Sequence, residues 1–324
     1  MKIAVIDDYP DAFRNVTGFE RLSEHAVTVF RDTIKDADRL VARLRDFDAI
    51  VLTQQRSPFP RAIIERLPQL KFIAQTGRNT YHLDVAACTE RRIVVSAAGT
   101  NAPTATAELT WGLILASLRH IPREVHELRK GTWQTTVGTG LHGKTLGIYG
   151  FGRIGNMVAR VGQAFGMVVM CWGRESTLAK AHAAGIAAAA RREELFERAD
   201  VLSLHLALNP ETRGIVTAAD LARMKPTALI VNTARAPLIA AGALAAALER
   251  GRPGYAAVDV FEDEPVTGRL HPLLALPNVI CTPHLGYVER DTMEILYGRA
   301  IDGIVAFAAG EPVNVLNPEA LARK

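Results

Sequence analysis

The chain is poor in several features, and each shortage excludes a class of protein. Only three of its 324 residues are cysteine: Cys88, Cys171 and Cys281 lie far apart, with no paired spacing. A disulfide scaffold is excluded on that count, and free thiols in a reducing cytoplasm are expected. The apolar runs are short. The longest, near Leu109–Leu118 and Leu238–Leu248, fall well below the ~20 residues that cross a membrane. The opening MKIAVIDDY has two adjacent Asp and no h-region, so no secretory leader is expected. The 25 Gly follow no period, which excludes a collagen-like chain. Charge of either sign is not in excess: 38 Lys+Arg against 34 Asp+Glu leave +4, and the basic residues are scattered. No nucleic-acid surface is read from them. Trp111, Trp133 and Trp172 read as packing residues rather than stacking platforms for bases. His25, His82, His120, His126, His142, His182 and His271 have no paired spacing, so no metal site is expected.

A hydrophobic content of 48% with 22% charged residues is present instead, the balance of a folded globular chain. The length suggests two domains at roughly 150 residues each. Short apolar runs alternate with helical patterns from the start. Lys2–Ile6, Val27–Phe30, Ala49–Thr53, Lys71–Gln75 and Ile93–Ser96 read as strands, with helices over Ala37–Arg45, Pro60–Leu67 and Leu83–Arg91. That alternation predicts a parallel sheet covered by helices. Thr100–Arg129 reads as a long helical stretch, started at Pro103 and kinked or broken at Pro122. The Gly- and Thr-rich Lys130–Leu141 reads as a loop. A second series of six strands follows: Thr145–Tyr149, Val168–Trp172, Val201–Leu204, Ala228–Asn232, Ala256–Val260 and Val279–Thr282. Six strands separated by helices match a doubly wound nucleotide-binding domain. Ala179–Ala190 reads as helix and turn, and the tail after Val288 as helix.

Gly150-Phe151-Gly152-Arg153-Ile154-Gly155 is a GxGxxG between a strand and a helix. The pattern alone marks many ordinary turns; its context gives each glycine a task. Gly150 suits the tight turn, Gly152 the close approach of a pyrophosphate, and Gly155 the packing of helix on strand. The amides of Arg153 and Ile154 would face the phosphates. An acidic residue near the end of the second strand commonly binds the adenosine ribose. Here that place holds Gly173, followed by Arg174 and Glu175. A guanidinium pairs with a 2′-phosphate, so Arg174 favours NADP(H) over NAD(H). The alternative is that Glu175 holds the ribose of NAD(H).

Three polar residues follow strands of the second series: Arg235, Glu264 and His284. Ligands of open α/β sheets bind at that edge. Arg235 can grip a carboxylate and polarise a carbonyl, His284 can pass a proton, and Glu264 can orient His284. Each alone reads better as a surface salt bridge or a cap; together they suit hydride transfer to a 2-oxo acid.

These motifs carry a resemblance. Leu141–Gly155, Met224–Arg235, Asp259–Pro265 and Thr282–Gly286 are similar, in order and spacing, to signatures of the D-isomer-specific 2-hydroxyacid dehydrogenases. The resemblance implies that Arg235, Glu264 and His284 are catalytic. It also implies that Asp259 lies near the nicotinamide carboxamide and that Thr233 and His205 line the cofactor site. Thr76, Gly77 and Arg78 would bind the substrate carboxylate. Arg56 resembles a further substrate-side residue, and reads equally as a solvated loop arginine. The implied fold is α/β, with two doubly wound parallel-sheet domains. A Rossmann-type nucleotide-binding domain (101–287) is inserted in a flavodoxin-like substrate domain (1–100, with a helical return over 288–324). The implied partner is a small 2-oxo or 2-hydroxy acid, with phosphoglycerate, hydroxypyruvate, glyoxylate and bulkier oxo acids all open. A formate or phosphonate dehydrogenase and an NAD(H)-sensing regulator are the alternatives. Tyr287 departs from the family pattern, which has a small residue there, and Ala207 replaces a frequent Pro. A homodimer is expected, on the apolar surplus of Asn101–His120.

Overall fold

Ten of the strands read from sequence keep their place in a computed structural model to within one residue at each end. The model describes residues 1–99, 103–268 and 270–322. In the first series these are β1 (Lys2–Ile6), β2 (Ala26–Val29), β3 (Ala49–Leu52), β4 (Phe72–Gln75) and β5 (Val94–Ala97). They pair in parallel in the order β2-β1-β3-β4-β5. Strands covered on both faces need no polar side, and β3 and β4 are buried at every residue. One row of paired residues, Ile6–Leu52–Gln75–Ala97, marks the carboxyl edge of this sheet.

The tail belongs to this sheet. The helix Arg290–Ala308 begins at Glu289, whose carboxylate caps the amides of Asp291 and Thr292. Phe307 stacks on Phe72 of β4 at 4.6 Å, and the buried Tyr297 shares a hydrogen bond with Thr53. Asn317 then accepts from the Val95 amide and donates to the Ile93 carbonyl.

The second series forms seven strands: β6 (Thr145–Tyr149), β7 (Val168–Trp172), β8 (Ala187–Ala188), β9 (Val201–Leu204), β10 (Leu229–Asn232), β11 (Tyr255–Val258) and β12 (Val279–Cys281). Their order is β12-β11-β10-β9-β6-β7-β8, all parallel. Counted from β6 this is the doubly wound order 3-2-1-4-5-6 with one strand added. The expected six strands are thus seven. β8 lies where helix and turn were expected, because two exposed alanines carry neither β-branching nor alternation. The chain forms two α/β parallel-sheet units, Met1–Ala102 with Glu289–Lys324, and Pro103–Val288. The expected boundary at 100/101 falls outside the described residues.

The expected break near Pro122 is present, and one further expectation needs correction. The long helical stretch is two helices, Thr104–Leu118 and Ile121–Arg129. The break is at His120, in the left-handed region at φ 50°, and Pro122 sits harmlessly in the first turn of the second helix. The apolar surplus of Thr104–Leu118 is also not spare. Trp111, Leu113, Ile114 and Leu118 are buried in one core with Leu146, Val158 and Val231 of the same unit. The Trp111 indole donates to the Val158 carbonyl at 3.2 Å. The argument for a homodimer from this helix therefore fails, and its first residues, 101 and 102, lie outside the described part. What stays exposed is the next stretch: Ile121, Val125 and Leu128, four and three residues apart on one helix face, with Trp133 at 76% and Val137 at 94%.

Candidate active site

The register of the larger sheet gathers the site. A single row of paired residues crosses it: Trp172, Tyr149, Leu204, Asn232, Val258, Cys281. Gly150–Gly155, Arg174, His205, Thr233, Arg235, Asp259, Glu264 and His284 all follow within a few residues of that row, on the carboxyl edge.

The glycine loop has the three distinct environments its spacing predicts. Gly150 has φ +94°, and a Cβ there would lie 2.8 Å from the His205 carbonyl oxygen. A Cβ on Gly155 would lie 2.4 Å from the Gly150 carbonyl oxygen, so the helix Arg153–Ala164 presses directly on the turn. A Cβ on Gly152 would meet nothing within 4 Å. Gly152 also begins the helix without a side-chain cap. The first amides of the helix therefore face open space beside a residue with no side chain, which fits a pyrophosphate. At the end of β7, a Cβ on Gly173 would lie 2.7 Å from Thr177 Cγ2. Arg174 precedes the helix Glu175–Ala183, and both Arg174 and Glu175 are exposed.

His205 donates its amide to the Tyr149 carbonyl, and its Nε2 shares a 2.9 Å hydrogen bond with Ser203. Burial drops its pKa to about 4, so the ring is neutral at ordinary pH. Thr233 is buried, its hydroxyl 2.8 Å from that of Thr110.

His284 and Glu264 meet. His284 Nδ1 donates to Glu264 Oε2 at 2.6 Å, and Glu264 Oε1 accepts from the Phe261 amide at 3.0 Å. The carboxylate is thus held at both oxygens, and the imidazole is held through Nδ1, leaving Nε2 for other chemistry. Tyr287 sets the ring from another side, edge-on at 5.6 Å between centroids.

The backbone of His284 lies in the left-handed region, φ 55°, a conformation that needs outside support in a residue with a Cβ. Asp259 supplies it. This carboxylate has no exposed surface. Its Oδ1 accepts from the Thr282 hydroxyl at 2.6 Å and the Leu285 amide at 2.7 Å, and its Oδ2 from the Gly286 amide at 2.8 Å. Burial pushes the Asp259 carboxyl up, against the pull of these donors and of His284. The side chain is a clasp around the His284 loop, a task that sequence reasoning missed. Its partners lie 23 to 27 residues further along the chain, so no local spacing signals it. Thr106 pins the same loop through a 2.9 Å hydrogen bond to the Gly286 carbonyl.

Arg235 stands three residues past β10, the fifth strand of its sheet in chain order rather than the fourth. It is half-buried, and one guanidinium nitrogen donates to the Ala234 carbonyl at 2.7 Å. Asn232 braces this turn, accepting from the Ala234 amide and donating to the Arg235 carbonyl.

The remaining candidates lie in the other unit, past the ends of β3 and β4. Thr76 is buried, and its hydroxyl accepts from the Gln54 amide and donates to the Leu52 carbonyl. Gly77 is buried beside Gln54 and Gln55, and Arg78 is exposed. Arg56 is half-buried, its guanidinium over the Tyr9 ring. Among the described residues, no group of three or more His, Cys, Asp or Glu gathers as a metal site requires. No described helix is long and apolar enough to cross a membrane.

Known proteins share this arrangement. Residues 111–286 match the family described as D-isomer specific 2-hydroxyacid dehydrogenase, NAD binding domain. A glyoxylate reductase of Aeropyrum pernix is 37% identical over 296 residues, 87% of this chain and 86% of that protein. A D-3-phosphoglycerate dehydrogenase of Methanocaldococcus jannaschii is 39% identical over 283 residues, 86% of this chain, which spans about half (53%) of that protein. A crystal structure from Ralstonia solanacearum, provisionally named a D-3-phosphoglycerate dehydrogenase oxidoreductase, superposes with a TM-score of 0.95. It is 48% identical, over 100% of this chain and 98% of that one. The chain belongs to the D-isomer-specific 2-hydroxyacid dehydrogenase family. It is an oxidoreductase that moves a hydride between a nicotinamide cofactor and a 2-oxo or 2-hydroxy acid.

Proposed function

We propose that the protein works as a reductase of a small 2-oxo acid of the class of glyoxylate, hydroxypyruvate or its phosphate. It prefers NADP(H) and acts as a homodimer in the cytoplasm. The observation that carries this reading is the 2.6 Å pair of His284 and Glu264, on neighbouring strand ends beside Arg235. The nicotinamide supplies the hydride when bound. Arg235 grips the substrate carboxylate and polarises its carbonyl oxygen. His284 Nε2 gives that oxygen its proton, and Glu264 holds the imidazole in the donating orientation. Gly150, Gly152, Arg153, Ile154 and Gly155 hold the pyrophosphate, with His205, Thr233 and Asp259 around the nicotinamide half. Thr76, Gly77 and Arg78 offer their backbone to the substrate carboxylate.

The coenzyme preference is supported by the end of β7. No carboxylate stands at Gly173, where Thr177 fills the space of a side chain, and the Arg174 guanidinium is exposed one residue on. A charge-assisted pair with a 2′-phosphate contributes on the order of 1.5–3 kcal/mol, about one to two decades of affinity. The dimer is supported by the exposed apolar face of Ile121, Val125, Leu128, Trp133 and Val137. One screen of 2-oxo acids with both reduced coenzymes tests the reading. Turnover with NADPH ahead of NADH, narrowed in Arg174→Ala, is expected. A tenfold preference for NADH, unchanged in Arg174→Ala, would leave Glu175 as the ribose ligand.

A further inference from the structure

The larger sheet has a hollow on the face away from the glycine loop. Side chains of a strand alternate between faces. Val231 and Ala257 pack in the core under the helix Arg153–Ala164, whereas Val258 packs in the core under the helix Ala243–Glu249. Between this second helix, the end of β11 and the segment Pro272–Ala275 lies a cavity of about 260 Å³. Its larger wall residues are apolar: Ile239, Leu244, Val258 and Leu273. The sequence makes the space, because Ala240, Ala241 and Ala245 stand where longer side chains would fill it. Protein interiors hold few voids larger than a water. An apolar cavity of ~150 Å³ already takes a benzene ring, so this one has room for an apolar body of about ten heavy atoms. No residue placed above in catalysis or on the cofactor is among those that line it.

Among the described residues, three polar side chains reach the cavity: Asn232, His271 and Glu262. Two are spent. Asn232 accepts from the Ala234 amide and donates to the Arg235 carbonyl. His271 Nδ1 accepts from the Leu273 amide at 3.3 Å, so its other nitrogen, Nε2, donates to Glu262 Oε2 at 3.1 Å. The Phe261 ring fixes this imidazole further, edge to face at 4.9 Å. Glu262 is half exposed, at 52%, and its Oε1 accepts from no described residue. The hollow therefore combines an apolar interior with one open carboxylate oxygen at its mouth, the balance of a small-molecule site.

We propose that this cavity is a second ligand site, and that its occupant is a small amine, with a branched or aromatic body in the hollow and its ammonium on Glu262. A carboxylate with an open acceptor selects a cationic donor and repels an acid. The 2-oxo acid and its 2-hydroxy product are therefore not the occupant. The site lies wholly within the unit Pro103–Val288, and it does not depend on which acid or which coenzyme the reductase uses.

The test is a titration of the full-length, methyl-labelled protein, followed through the methyl signals of Ile239, Leu244, Val258 and Leu273. The probes are 2-phenylethylamine, 2-phenylethanol and phenylacetate, which share one body and differ in the head. The amine shifts these signals to saturation. The alcohol binds about twofold to fivefold more weakly, the worth of a half-exposed ion pair. Phenylacetate leaves the signals still, and saturating reduced coenzyme leaves the amine affinity unchanged. Glu262→Gln binds amine and alcohol alike. Ala245→Phe and Ala241→Phe each put a ring into the space and abolish the response. Ala241 is exposed, so its variant carries the test if Ala245→Phe does not fold, and thermal midpoints establish which do. Shifts that grow without saturating, phenylacetate binding as well as the amine, displacement by coenzyme, or an undiminished response in Ala241→Phe would each overturn the proposal.

Discussion

At the residue scale, the chemistry depends on how few freedoms His284 keeps. Its Nδ1 is held by Glu264, its ring edge by Tyr287, and its left-handed backbone by the Asp259 clasp. Glu264→Gln keeps the shape and can keep one hydrogen bond, but removes the anion beside the imidazole. A hydrogen bond to a charged group contributes ~1.5–3 kcal/mol, so kcat/KM should fall about tenfold to a hundredfold. Coenzyme binding should hold. A wild-type kcat/KM in Glu264→Gln would count against the pairing. That Glu264 and His284 stand on one sheet edge was legible from sequence because each follows a strand by only a few residues. The clasp was not, because Asp259 reaches residues more than twenty positions ahead, and only the register of β11 and β12 brings them together.

At the element scale, the glycine loop separates packing from ligand space. Gly155→Ala would press a methyl against the Gly150 carbonyl, and overpacking of this kind costs about 1–3 kcal/mol. Gly152→Ala meets nothing in the protein and occupies only the space proposed for the pyrophosphate. The first variant should lower the thermal midpoint. The second should keep the midpoint and raise the coenzyme KM. Equal midpoints, or an unchanged coenzyme KM in Gly152→Ala, would contradict these roles. Most strands were legible because parallel strands covered on both faces are continuous apolar runs. β8 was not, since it is two alanines made a strand only by pairing with β7. The helix Thr104–Leu118 misled in the opposite way: apolar on all sides, it looked like an interface and is a core helix.

At the scale of the whole molecule, each unit holds a histidine that burial keeps neutral: His82 in one and His205 in the other, both with pKa values near 4. The unfolded chain takes up these protons from about pH 6.5 downward, while the folded protein resists until about pH 4. Stability that is full above pH 6.5 is therefore lost as pH falls through that window. Asp7 and Asp259, raised by burial, act with the opposite sign. The comparison that isolates the histidine is between variants: His205→Gln should show a shallower fall in thermal midpoint from pH 6.5 to 4 than wild type. Parallel curves would contradict this. The dimer belongs to the same scale. A dimeric mass at micromolar concentration is expected, reduced to a monomer by Val125→Asp on the exposed face of Ile121–Arg129. A monomeric wild type would contradict it.

The central claim is that His284 delivers the proton in the reduction of a 2-oxo acid. The most direct measurement is single-turnover reduction by His284→Ala beside wild type, with the affinity for the reduced coenzyme titrated in the same samples. General acid catalysis contributes about 10²–10⁴-fold. The variant should lose a factor in that range while binding coenzyme as wild type does. Reduction by His284→Ala at the wild-type rate would contradict the claim.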